Sequence, residues 1–197
     1  GVDCRGWDTL PVPSHPQLHG YGHPQYVNVQ YPWDGCEDVK PGQVPEKFNP
    51  VSSYVKYFNL PEYMAGMRIF ISFQGAESGL AVWCNGHYVG YGEDGFTPSE
   101  FELTEYLVPG ENKLAAQVFQ YTNASWMEDQ DFFRFSGIFR EVFLYAVPAV
   151  HVRDMKITTP LADGFASGEV RVALEAAGEG HAALRLYEGE TQIAGSS

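Results

Sequence analysis

The chain of 197 residues is short of cysteine, of positive charge and of long apolar runs. Its three cysteines, Cys4, Cys36 and Cys84, are odd in number and widely spaced, so they offer no disulfide framework and no paired-cysteine zinc motif. Twelve Lys and Arg against 25 Asp and Glu give a formal net charge of −13, which argues against nucleic acid and anionic membranes as partners. No apolar run has the length of a transmembrane helix. No signal peptide opens the chain at Gly1, and the native compartment is left open.

Two motifs of nucleotide and ester chemistry are also missing. No glycine-rich phosphate loop stands between a strand and a helix, and there is no G-x-S-x-G nucleophile elbow, since Ser136-Gly137 is only a turn before a strand. A disordered chain is excluded as well, because 44% apolar and 15% aromatic residues can bury a substantial core. Nucleotide-dependent and serine-hydrolase functions therefore have no support.

Alternating apolar and polar residues in short stretches predict an all-β protein. The Asn85-Gly86 pair is a strong hairpin signal, because both central residues of a type I′ turn need positive φ. Turn residues separate the stretches every few residues, and no convincing amphipathic helix stands between them. An antiparallel β-sandwich is the fold that this pattern favours. The predicted strands of this part are 54–60, 68–74, a hairpin over 80–91, a short strand within 97–107, 113–120 and 139–145.

The composition changes after Pro148, where a second set of strands is predicted. Three or four strands cannot close a sandwich, since an immunoglobulin-like domain needs about seven. We therefore expect two domains, one over 1–148 and the truncated start of another over 149–197. The strands of this second part are predicted at 152–158, 169–175 and 183–187, with a possible short fourth at 192–194.

The segment 126–143, WMEDQDFFRFSGIFREVF, sets an acidic, aromatic-rich loop against an alternating strand. Carboxylates accept hydrogen bonds from hydroxyl groups, and flat rings cover the apolar faces of a pyranose. The loop therefore has the composition of a sugar-contacting rim. Its candidate contact residues are Trp126, Glu128, Asp129, Asp131, Phe132 and Phe133.

This segment, together with LAVWCNGHYVGYGEDGFTPSEFELTEYLVPGENKLA and VPSHPQLHGYGHPQYVNVQYPW, resembles the N-terminal sugar-binding domain of bacterial β-galactosidases of glycoside hydrolase family 2. Several long motifs in the family order carry the resemblance, which runs to about Pro148. It implies a jelly-roll domain, then an immunoglobulin-like domain, then a catalytic barrel outside these residues. The resemblance is compatible with either the bacterial cytoplasm or the periplasm as the native compartment.

The resemblance also implies roles for single residues. Asn28 matches the asparagine that the family inserts into the galactose site. Asp131 matches the aspartate that lines this site and ligates a sodium ion, and a hard cation does prefer oxygen donors. Tyr26, Tyr31 and Trp33 are candidates for the pocket wall, but core packing is the expected role of at least two of them.

The charged residues of the acidic loop and its flanks allow three further interpretations. Glu128 and Asp131 as the carboxylate pair of a retaining glycosidase are rejected, because nothing separates their environments and the family places its catalytic glutamates on the barrel. A solvated surface position is the expectation for Glu128 and Asp129. Arg134 and Arg140 flank the acidic loop and are expected to hold its carboxylates by bidentate pairing.

Three histidines, His15, His19 and His23, have the i, i+4, i+8 spacing of zinc ligands on a helix. Prolines and glycines interrupt the segment, so a helix and a zinc site are not expected there.

The resemblance thus implies the non-catalytic N-terminal part of a β-galactosidase that hydrolyses terminal non-reducing β-D-galactosides with retention. The resemblance implies a galactoside substrate, catalytic glutamates and a magnesium site outside the chain, and a homo-oligomeric full-length enzyme. The alternatives are a carbohydrate-binding module that works alone and an accessory domain of a β-glucuronidase or β-mannosidase. The loop 34–49 departs from the family pattern and is expected to alter the pocket entrance or a subunit contact.

Overall fold

Strands form most of the regular structure in the computed structural model of the chain, which describes residues 2–128 and 131–196. Contacts divide the chain into two units, the first ending at Ala146 and the second beginning at Val147. The helical segments among the described residues are short 3-10 turns, at Pro16–His19, Glu62–Met64, Thr104–Tyr106, Asn123–Trp126 and Asp163–Phe165. No helix in the described part is long and apolar enough to cross a membrane. The all-β prediction is confirmed.

The described residues of the first unit form eleven short strands, the last of which ends one residue into the second unit. In chain order they are β1 Tyr26–Val27, β2 Val51–Asn59, β3 Arg68–Phe73, β4 Ala76–Glu77, β5 Gly79–Cys84, β6 His87–Gly92, β7 Ser99–Glu102, β8 Glu111–Phe119, β9 Phe132–Phe133, β10 Gly137–Ile138 and β11 Val142–Val147.

Two antiparallel sheets share one core in the first unit. One sheet has the strand order β2-β8-β5-β6 and the other β11-β3-β7. The central strand β5 is apolar on both faces, and Leu80 and Val82 are 1% and 0% exposed. Ile71 and Phe73 of β3 join them in the same cluster of buried side chains. The core therefore lies between the sheets, as in a β-sandwich.

The β5–β6 hairpin turns at Asn85-Gly86, as predicted. Asn85 has φ 50° and Gly86 φ 86°, and Cys84 pairs with His87 across the turn. The Asn85 side chain holds the turn to β8, the neighbour of β5 in the sheet, since its Oδ1 accepts from the Lys113 backbone N–H at 2.8 Å.

Two strands of the first unit begin three residues away from their predicted starts. β2 begins at Val51 rather than 54, because its pairing with β8 extends to Val51 opposite Phe119. β11 begins at Val142 rather than 139, because the backbone N–H groups of Phe139 and Arg140 both point to the Gly75 carbonyl.

The described residues of the second unit, 147–196, form two antiparallel ribbons. Its strands are β12 His151–Thr158, β13 Arg171–Ala177, β14 Leu184–Glu188 and β15 Thr191–Ser196. β12 pairs with β13, and β14 pairs with β15. Three strands and a possible short fourth were expected here, and their identity as the start of an immunoglobulin-like domain stays a prediction.

Candidate functional site

A two-residue ribbon joins the N-terminal segment to the acidic loop. β1 pairs with β9, so that Tyr26 lies opposite Phe133 and Val27 opposite Phe132. The ribbon brings the neighbourhood of Asn28 to that of Asp131, although the two residues are far apart in sequence. This pairing could not be read from either segment alone, because two residues are too few to show alternation.

The Tyr26 hydroxyl links the two predicted site residues. It donates a hydrogen bond to Asp131 Oδ1, and the Asn28 side chain lies near the same hydroxyl. The bond to Asp131 raises the pKa of Tyr26 above its usual value, because ionisation would place a phenolate beside a carboxylate. Both Asn28 and Asp131 are exposed, so their remaining polar atoms can reach a ligand.

Asp131 and Tyr26 lie at the edge of a cavity of about 480 Å³. Its wall is aromatic: Phe96 meets Phe132 edge-on at 6.0 Å between ring centroids, and Phe133 stacks on Phe135 at 5.8 Å. Flat rings beside hydrogen-bonding groups suit a sugar, whose ring has apolar faces and a polar edge. The lining residues are His15, Tyr26, Glu77, Phe96, Asp131, Phe132, Phe133, Phe135 and Phe139.

His15 is part of this aromatic wall. Its ring stacks on Phe135 at 4.6 Å and on Phe139 at 5.4 Å, and its Nδ1 lies 3.1 Å from the Ser136 carbonyl oxygen. The segment after it forms a four-residue 3-10 turn that ends at Gly20 with φ 88°, so no helix aligns His15, His19 and His23.

A second aromatic group lies on the same two chain segments. Tyr31 stacks on Trp33 at 5.2 Å, and Trp126 packs on Trp33 at 4.8 Å. Trp33 is 1% exposed, but Tyr26 is 54% and Tyr31 36% exposed. The expectation that core packing would occupy at least two of Tyr26, Tyr31 and Trp33 is therefore corrected, since burial removes only Trp33 from solvent.

The two arginines beside the acidic loop differ in their surroundings. Arg140 Nη1 donates to the carbonyl oxygens of Phe96 at 2.6 Å and of Gln74 at 3.3 Å. Arg140 therefore has a different role from the predicted pairing with carboxylates. Its guanidinium group braces the loop that contains Phe96. Arg134 is 5% exposed, and its predicted pairing with a loop carboxylate stays a prediction.

Glu128 is the residue whose environment sequence reasoning missed. It is half-buried, and its Oε2 accepts from the Ser78 hydroxyl at 3.1 Å. The expected solvated position is wrong for Glu128. Asp129, for which the same position was expected, lies outside the described residues. No local pattern identifies Glu128, because its partners come from other strands and loops.

The donor set at the rim fits sodium better than a transition metal. Asp131 and Tyr26 offer oxygen atoms, which a hard cation prefers. The described residues contain no group of three or more His, Cys, Asp or Glu that could hold a metal ion. The rim thus offers a hard cation the donor type it prefers but only part of a coordination sphere.

Comparison with known families decides the classification of this fold and site. Residues 2–148 match the family model of the sugar binding domain of glycosyl hydrolases family 2. The chain belongs to this family. The resemblance that the motifs carry is thereby confirmed.

The curated relatives are longer β-galactosidases. The chain is 54% identical over 175 residues to a β-galactosidase of Halalkalibacterium halodurans, a match that covers 89% of this chain and 17% of that protein. It is 52% identical over 170 residues to the β-galactosidase of Streptococcus thermophilus, covering 86% of this chain and again 17% of the relative. The chain thus spans less than a fifth of the length of either relative.

Solved structures with the same fold include β-glucuronidases. A β-glucuronidase of an uncultured Clostridium sp. superposes with a TM-score of 0.62 at 25% identity, over 74% of this chain and 28% of that one. The β-glucuronidase of Dictyoglomus thermophilum gives a TM-score of 0.60 at 23% identity, over 74% of this chain and 29% of that one, and it supports the fold alone.

Proposed function

We propose that this chain is the non-catalytic N-terminal part of a β-galactosidase that hydrolyses terminal non-reducing β-D-galactosides with retention. One observation carries the proposal: the Tyr26 hydroxyl donates to Asp131 and has the Asn28 side chain near it, at the edge of an aromatic cavity. In this role Asn28 and Asp131 hold galactosyl hydroxyl groups. The catalytic glutamates and the barrel lie in a downstream part of the same longer protein, which is a homo-oligomer.

Asp131 has a second task in this proposal, which is to ligate a sodium ion that also contacts the sugar. Its carboxylate is exposed and offers the oxygen donor that sodium prefers. Sodium would neutralise negative charge beside the sugar and give its hydroxyl oxygens a hard cation to bind. The remaining ligands, and the magnesium site, belong to the rest of the longer protein.

The surroundings of Glu128 support a non-catalytic role for the carboxylates of the acidic loop. A retaining mechanism needs one carboxylate free to attack the sugar and one carboxylic acid of raised pKa. Both oxygens of Glu128 accept hydrogen bonds from this chain, Oε2 from Ser78 and Oε1 from the Gly95 N–H at 3.4 Å. Glu128 and Asp131 are therefore a poor catalytic pair.

The alternative sugars follow from the shared fold. β-Glucuronidases superpose on this chain, but a glucuronide carries a carboxylate that a basic residue would bind. The described residues that line the cavity include His15 and no Lys or Arg. A neutral sugar is the better fit, and the much higher identity to β-galactosidases agrees.

The test is hydrolysis of nitrophenyl β-galactoside, β-glucuronide and β-mannoside by the longer protein and by this chain, in sodium or potassium salt. We expect the longer protein to cleave only the galactoside and this chain to cleave none. Binding of galactose by this chain alone would support a stand-alone binding module instead. Cleavage of another glycoside would assign another glycosidase of the family.

Asp131→Ala in the longer protein is expected to lower kcat/KM for the galactoside about 10- to 100-fold, the effect of losing one hydrogen bond to a charged group. The activating effect of sodium should weaken in parallel. Asp163→Ala, at an exposed aspartate of the second unit, is the control. Unchanged kcat/KM and sodium response in the Asp131 variant would remove this residue from the site.

A further inference from the structure

A cluster of buried hydroxyl groups lies beside the acidic loop. Ser78 Oγ lies 2.9 Å from Thr122 Oγ1 and 3.3 Å from Ser125 Oγ, and it donates to Glu128 Oε2 at 3.1 Å. The three hydroxyl residues are 2%, 3% and 1% exposed respectively. Buried polar groups without partners are costly, so such a cluster is stable only if every donor has an acceptor.

The carboxylate fixes the direction of every hydrogen bond in this cluster. An ionised carboxylate only accepts, so the single Ser78 proton goes to Glu128. Ser78 Oγ is then free to accept, and the Thr122 and Ser125 hydroxyls donate to it. These two hydroxyls in turn accept the backbone N–H of Ser125 and of Thr122, in the capping box of the Asn123–Trp126 turn. A chain of hydrogen bonds that ends on a charge is strengthened along its length.

The other oxygen of Glu128 holds a second loop. Its Oε1 accepts from the Gly95 N–H at 3.4 Å, and the Gly95 carbonyl accepts from the Ala76 N–H at 3.1 Å. Gly95 precedes Phe96, whose ring forms part of the cavity wall against Phe132. One carboxylate thus connects the Phe96 loop, the segment of Ser78 and the beginning of the acidic loop.

Asp131 lies between two fixed points of the chain. Glu128 is fixed on one side by its carboxylate, and Phe132 on the other side by pairing with β1. Three peptide steps separate Glu128 from Asp131, so their Cα atoms are at most about 11 Å apart. Holding Glu128 therefore restricts where the Asp131 carboxylate can lie.

We propose that Glu128 is a positioning residue for the galactose site: its carboxylate, held by the Ser78 hydroxyl and the Gly95 N–H, sets the place of Asp131 and of Phe96 without touching the sugar. This role rests on the proposed function. It gives the Ser78 hydroxyl a part in galactoside binding that neither its burial nor its position in the sequence suggests.

The first experiment compares Glu128→Gln, Ser78→Ala and the double variant in the longer protein. Loss of an outer hydrogen-bond partner of a ligand commonly costs about tenfold in affinity. We expect KM for nitrophenyl β-galactoside and the sodium activation constant each to rise about tenfold in both single variants, with kcat changing less. The double variant should be no worse than the more affected single variant, because both changes break one connection. Glu62→Gln, at an exposed glutamate of the first unit, is the control.

Two kinetic outcomes would overturn the proposal. If Glu128→Gln raises KM and Ser78→Ala does not, Glu128 touches the sugar directly. If both variants lower Tm while KM and the sodium constant stay unchanged, the cluster only stabilises the fold.

The second experiment needs no activity and uses the 197-residue chain itself. Deuterium uptake by the peptide spanning 126–138 should increase in Ser78→Ala and Glu128→Gln and stay unchanged in Glu62→Gln. Equal uptake in all variants would overturn the positioning role, whatever the longer protein hydrolyses. An inactive wild-type enzyme with increased uptake in the variants would instead overturn the proposed function and leave the connection standing.

Discussion

The two units of this chain have similar strands and very different interiors. In the first unit Leu80 and Val82 are 1% and 0% exposed, whereas Ile157 and Ile193 of the second unit are 54% and 56% exposed. From 147 to 196 no described residue is buried. Alternation of apolar residues therefore predicts a strand in both units, but it predicts a core only where a second layer covers the apolar face.

The number of strands in each sheet explains this difference. The first unit packs a four-stranded sheet and a three-stranded sheet around one cluster of side chains, whereas β12–β13 and β14–β15 are separate two-stranded ribbons. A two-stranded ribbon has too little surface to shelter a side chain by itself. The second unit thus presents apolar side chains without the layer that would bury them.

The largest effect that tests this contrast is expected from the truncation of a buried side chain of the core. Leu80→Ala should lower the free energy of unfolding of the first unit by about 2–5 kcal/mol, since it removes buried methyl groups and leaves a cavity. Ile157→Ala, in the second unit, should cost less than about 1 kcal/mol, because the side chain is already half in water. Urea denaturation of the 197-residue chain, followed by tryptophan fluorescence and circular dichroism, measures both. Equal losses would mean that the second unit has a core of its own.

A smaller effect is expected at a tightly packed glycine of the first unit. A Cβ at Gly79 would lie 2.5 Å from Thr122 Cγ2 and 2.8 Å from Tyr91 Oη. Gly79→Ala should therefore destabilise the chain by about 1–3 kcal/mol through overpacking. At Gly6 a Cβ would meet nothing within 4 Å, so Gly6→Ala is the matched control. Thermal unfolding of the two variants gives the comparison, and equal Tm values would contradict the packing described for the Ser78 and Thr122 segments.

The smallest expected effect is a loss of stability at alkaline pH that comes from a buried tyrosine of the first unit. Burial raises the pKa of Tyr121 from its usual 10 to about 12. The unfolded chain loses this proton first, so stability is fully present below pH 10 and is lost as the pH rises through the folded pKa. Between pH 8 and pH 11 the stability advantage of the parent over Tyr121→Phe should shrink by about 1.4 kcal/mol. Urea denaturation at the two pH values tests this, and parallel losses would show that Tyr121 is not the group responsible.

Part of the site could be predicted because its signals are local or belong to family motifs. Asn28 and Asp131 were selected by their motifs, and the Asn85-Gly86 turn by the backbone conformation that it demands. The structure brings Asn28 and Asp131 to one tyrosine hydroxyl, whereas their contact with a sugar remains the proposal. The roles of Glu128 and Arg140 could not be predicted, since their partners are a hydroxyl and backbone groups on distant loops.

The sequence by itself determined the strands, the tight turn at Asn85-Gly86 and the membership of the first 148 residues in a sugar-binding family. These depend on side-chain alternation, on positive φ at two residues and on long motifs, all of which are present in the chain before it folds. Only the tertiary structure decided which aromatic residues are buried, which carboxylate is held and which arginine braces a loop. Burial and hydrogen bonding depend on groups from distant strands and loops that the fold brings together, and a linear pattern does not specify these contacts.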